Sequence, residues 1–126
     1  MAVTGSIVVT TSRDGPLRKY SCAWTSDGAA GTVTECPVTL RAGMIVQVVC
    51  TAGATTPTND YDVTLLPATG ETDLLGGGGT DMSSTLTNFV GADRANLPVW
   101  IPTGTYWPTV AAAGNAKTGV IDIFVA

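Results

Sequence analysis

The chain has 126 residues, 44% of them apolar and 13% charged, and carries a net charge of −4 with no His. Its charge content is about half that of an ordinary soluble domain, and its length suits one domain over residues 1–126 with a single core. A net negative chain with its few Lys and Arg spread along the sequence argues against nucleic-acid binding, and the missing His removes the usual base of Ser, Thr or Cys hydrolases.

Small and hydroxylated residues replace the missing charge, with 21 Thr, 15 Ala and 15 Gly. Thr and Val favour strands while Gly and Pro end them, so the composition points to an all-β domain. Strand 6–11 is β-branched almost throughout and leads into the turn signal Asp14-Gly15-Pro16. Residues 17–24 alternate, with Tyr20, Cys22 and Trp24 on the core face. A short strand is expected at 32–36, stopped by Pro37, and a more apolar one at 44–51 with Met44, Val46, Val48 and Cys50 on one face and Ile45, Gln47 and Val49 on the other.

Strand 60–65 places Tyr61, Val63 and Leu65 inward and Asp60, Asp62 and Thr64 outward. Leu74-Leu75 ends a short strand, the glycines at 76–79 open a pliable loop, and a helical turn is expected at 80–84. Strands at 85–90, 97–101, 105–110 and 119–125 follow, the last with Ile121, Ile123 and Val125 inward, and Pro98, Pro102 and Pro108 confine parts of them to edges or ends. Eight or nine short strands predict a single antiparallel β-sandwich or a jelly-roll-like barrel.

Two charge-free stretches, 42–59 and 95–116, are too broken by Gly and Pro for a spanning helix, so no membrane partner is expected. No basic residue precedes Arg13 and no apolar run follows the start, which predicts synthesis in a cytoplasm without a secretory signal. Cys22, Cys36 and Cys50 then read as reduced, buried thiols, since zinc sites want closer pairs and usually His. Asp60 and Asp62, about 6.5–7 Å apart on one strand face, read as solvated carboxylates and not as a catalytic pair. Asn59, Asp60 and Asp62, with Glu71 or Asp73, offer oxygen ligands for calcium in a spacing unlike an EF-hand, and the solvated reading is preferred there too. No catalytic residue, cofactor or metal is expected.

Residues 97–110 gather Trp100, Tyr106 and Trp107 in a charge-free stretch stiffened by prolines. Core packing explains part of that. Aromatics on proline-broken strands also suit a protein interface or a sugar platform, because they bring large contact area at low entropic cost.

The segments K-Y-S-C-A-W-T-S-D-G from Lys19, N-D-Y-D-V-T-L-L from Asn59, D-L-L-G-G-G-G-T-D from Asp73 and A-A-G-N-A-K-T-G-V from Ala112 follow one another in an order that resembles small structural proteins of tailed bacteriophages and prophages. The resemblance runs over nearly the whole chain and marks no catalytic residue. It implies a virion component made in the bacterial host: a capsid cement, or decoration, protein on the capsid surface that binds the major capsid protein and copies of itself, as a trimer by preference or as a dimer. The expected contact residues are Trp100, Tyr106 and Trp107, with Gly77, Gly78 and Asp81 of the glycine loop. A head–tail connector or tail component, and a carbohydrate-binding module for host attachment, are the alternative readings.

Overall fold

A computed structural model of the chain describes residues 4–68, 72–91 and 97–126. Its nine strands are β1 (Ser6–Asp14), β2 (Leu17–Thr25), β3 (Val38–Leu40), β4 (Gly43–Ala52), β5 (Asp62–Pro67), β6 (Asn88–Val90), β7 (Val99–Ile101), β8 (Gly104–Ala111) and β9 (Thr118–Val125). All pairings are antiparallel. They form two sheets, a six-stranded one in the order β1-β2-β9-β4-β6 with β7 also on β4, and a three-stranded one in the order β3-β8-β5. The fold is therefore all-β and sandwich-like, and the sheets do not close into a barrel.

The period of two decides which side chains meet between the sheets. Tyr20, Cys22 and Trp24 of β2, Ile45, Val48 and Cys50 of β4, and Ile121, Ile123 and Val125 of β9 are buried on the larger sheet. Val38, Leu40, Val63, Leu65, Tyr106 and Val110 are buried with them from the smaller sheet, in one apolar cluster. The expected inward sets of β2, β5 and β9 are all in place.

The face assignment of β4 is corrected. A bulge between Ile45 and Gln47 shifts the register against β9, so Ile45 joins Val48 and Cys50 inside, while Met44 and Val46 are half-buried. An extra residue in one strand inverts the alternation beyond it. Among the short elements, the third strand lies at Val38–Leu40 and not at 32–36. Residues 32–34 make only isolated bridges, Asp27↔Thr32, Val33↔Val110 and Thr4↔Thr34, before Glu35 takes a positive φ of 54° and Pro37 follows. Leu74 and Leu75 lie in a turn, and no helical turn forms at 80–84. The sixth strand starts only at Asn88, because the Ser83 hydroxyl accepts the N–H groups of Thr85 and Leu86 and turns that backbone away from a ladder.

Candidate interaction surface

The sequence-predicted contact residues do not share a surface. Trp100 on β7 pairs with Met44 and stands 75% exposed on the outer face of the six-stranded sheet. Trp107 on β8 pairs with Leu66 and is half-buried on the outer face of the three-stranded sheet, the other side of the molecule. Tyr106, between them in sequence, is 4% exposed and belongs to the core. Its hydroxyl donates to the Pro102 carbonyl at 2.8 Å, and burial pushes that phenol above its usual pKa. As a contact residue Tyr106 is corrected to a core residue; the strand period that sends Trp107 outward sends its neighbour inward.

The glycine loop has a different place again. Leu65 and Leu75 each donate a backbone N–H to Asp73 Oδ1, and Gly77 donates one to Oδ2, all at 3.0 Å. Asp73, weighed from sequence as a calcium ligand, is thus an acceptor for the loop's own backbone. The loop in turn lies along β5: Leu74 donates to the Leu65 carbonyl at 2.8 Å, Val63 to Gly79 at 2.8 Å and Met82 to Tyr61 at 2.7 Å. At Gly79 a Cβ would come within 2.1 Å of the Val63 carbonyl oxygen, so this approach needs glycine. Gly77 is exposed and Gly78 buried, and the exposed Asp81 donates its N–H to Asp62 Oδ1 at 3.0 Å. These residues cover the free edge of β5. Asn59 Oδ1 accepts the Ser84 N–H at 3.1 Å, and among the described residues no group of three or more His, Cys, Asp or Glu could hold a metal ion. Glu71 lies outside the described residues.

One exposed apolar surface emerges on the larger sheet. β6 and β7 pair with opposite ends of the same edge of β4, which brings Phe89, opposite Val49, and Trp100, opposite Met44, to one side of the sheet. They are 58% and 75% exposed and about 16 Å apart along β4. On the neighbouring β9, the ring of Phe124 faces the same way, with Lys19 Nζ 5.8 Å from its centroid. Asp122 accepts a hydrogen bond from the Ser21 hydroxyl on this face. Further out, Val8 of β1 is 68% exposed. The surface is thus apolar at one edge and hydroxyl-rich towards the other.

A second grouping was hidden by sequence distance. Arg13, Arg18 and Arg41 line one shallow cavity of about 140 Å³ with Pro16, Val125 and Ala126. Arg13 and Arg18 are direct cross-strand partners. Three of the six basic residues, spread along the sequence, are therefore gathered in space, and the two-residue turn at Gly15-Pro16 carried the signal, since it sets Arg13 opposite Arg18. Comparison with protein families, curated proteins and solved structures finds no match to this chain.

Proposed function

We propose that the chain is a non-enzymatic structural protein of a tailed-phage virion, a capsid cement protein that binds the major capsid protein and copies of itself. The observation that supports it best is the pair of exposed aromatics, Phe89 and Trp100, on the outer face of the six-stranded sheet. Large aromatic side chains standing on a rigid sheet are the usual anchors of a protein interface. The order of sequence segments, which resembles phage structural proteins, supplies the virion setting. A chain without His and with few charges suits attachment better than acid–base chemistry.

In this reading the capsid lies against the apolar edge of the larger sheet, around Trp100, Phe89 and Met44. Trp107 and the glycine loop take no part in that contact. The test is binding to shells assembled from the major capsid protein alone. Wild-type chain is expected to saturate the shell, and Trp100→Ser with Phe89→Ser to weaken binding about tenfold or more while folding normally. Full binding by that double variant contradicts the surface. Absence of the protein from purified particles contradicts the function, and a copy number matching one ring instead of the shell lattice moves it to the connector or tail.

A further inference from the structure

Among the described residues, β1 is a long sheet edge with no strand or loop bonded to its open side. The other edges are guarded. β3, β6 and β7 have three residues each, and β5 is covered by the glycine loop. β1 runs for nine residues in unbroken register with β2, carries no Pro or bulge, and has no charge from Ser6 to Ser12. Seven of its residues from Val8 to Asp14 are exposed on both faces. Natural sheets blunt such an edge with charge, proline or a covering segment, because its free backbone groups template another strand.

The hairpin shows which groups are free. Asp14 and Leu17 flank the two-residue turn, and Gly15 adopts the positive φ of 58° that a tight hairpin asks for. The flanking pair exchanges both backbone bonds, and the pattern alternates along the ladder. Ser6, Val8, Thr10 and Ser12 thus bond inward to β2, whereas Ile7, Val9, Thr11 and Arg13 turn N–H and C=O to the open side.

Charge among the described residues says what fits there. Arg13, Arg18, Lys19 and Arg41 lie at one end of the sandwich, with Asp14 the acid among them. Asp27, Asp60, Asp62 and Asp81 lie at the other end, where the loops after β2, β4 and β8 meet, with Lys117 the base among them. Glu35, Asp73 and Asp122 fall between. The basic cavity touches the end of β1 at Arg13, and a second hollow, lined by Gly5, Ser6, Thr25, Ser26 and Asp27, touches its start. Two β1 strands paired antiparallel about a two-fold axis set each basic end beside the other copy's acidic end, twice over.

We propose that β1 is a self-association surface, on which a second copy of this chain adds its own β1 antiparallel, joining two six-stranded sheets into one. This deepens the self-association in the proposed function, and rests on that reading only for its use on a particle. It favours the dimer over the trimer, because an antiparallel strand pair is two-fold. It also places the Arg13–Arg18 like-charge pair beside acid from the partner.

The test is made on isolated protein, by light scattering behind gel filtration and by sedimentation. Wild type is expected to run as a dimer that weakens as salt is raised. Val9→Pro removes an N–H that β2 does not use and is expected to weaken dimerisation about tenfold or more, the scale of one or two backbone bonds. Val9→Lys, which sets like charges together near the axis, is expected to do the same. Circular dichroism and melting must show both variants folded; Val9→Lys remains decisive where Val9→Pro fails to fold. A wild-type monomer at high micromolar concentration overturns the proposal, as does a trimer, or a dimer that both folded variants retain. A dimer that does not bind shells contradicts the function and leaves the pairing standing. Shell binding by a wild-type monomer contradicts the pairing alone.

Discussion

Cys22 lies in the core, where burial and, to a lesser degree, the Asp122 carboxylate push its thiol up to about 12. Tyr61 is pushed up to about 12 as well, by burial first and by Cys50 second. A raised acid holds its proton longer in the folded chain than in the unfolded one, so its contribution is complete below the unfolded pKa and is lost as pH rises. The melting temperature is therefore expected to hold steady to about pH 9 and to fall from there towards about pH 12. A flat profile through that window contradicts the burial argument. Burial also predicts that Cys22, Cys36 and Cys50, none of them in a disulfide, resist a thiol reagent at about pH 8 until the chain is unfolded. Fast labelling of the native protein is the contrary result. Trp24 and Tyr61 pack with ring centroids 5.8 Å apart, yet neither Trp24 Nε1 nor the Tyr61 hydroxyl has a hydrogen-bond partner among the described residues. Removing an unpaired buried hydroxyl removes its desolvation cost. Tyr61→Phe is thus expected to be neutral or to stabilise by up to about 1 kcal/mol in chemical denaturation, and a clear loss of stability points to a partner for that hydroxyl.

Among the elements, the glycine loop and β5 form a unit in which Asp73 fastens the loop and Gly79 lets it approach. Gly79→Ala forces a Cβ against the Val63 carbonyl and is expected to cost about 1–3 kcal/mol, lifting the loop from the edge of β5. Hydrogen exchange reads this at the Val63 and Leu65 amides, whose protection falls; unchanged protection there contradicts the edge-cover role. This unit also marks how far the sequence was legible. Alternation placed the inward residues of β2, β5 and β9, because each half-buried strand repeats its pattern over several residues. It failed at β4, where one bulged residue has no compositional mark. It failed also at residues 32–36 and 85–87, where a positive φ at Glu35 and the Ser83 side chain override β propensity. The aromatic cluster at 100–107 was visible as composition, but a cluster in sequence need not be one in space. The chain passes from β7 in one sheet to β8 in the other, so Trp100 and Trp107 face opposite sides. Phe89 is the lone aromatic of its stretch and carries no signal in sequence, and only the pairing of β6 and β7 with the same strand brings it onto the face that carries Trp100.

For the whole molecule, the two outer faces and the two ends differ in chemistry. Among the described residues, the larger sheet presents aromatics at one edge and the open strand β1 at the other, while positive and negative charge separate along the strands. In the proposed reading such a sandwich holds a large partner with its face and a second copy with its edge at the same time, and multivalency adds the two modest contacts into firm attachment. The scarcity of charge acquires a physical sense here. A face rich in Thr and Val keeps solubility through hydroxyls and would leave few ions to desolvate if a partner covered it. The most direct measurement is a cryo-electron microscopy reconstruction of the intact particle. Density for this chain is expected on the outside of the shell, with Trp100 and Phe89 against the major capsid protein. A particle without that density, or one that contacts the chain through the Trp107 face, contradicts it.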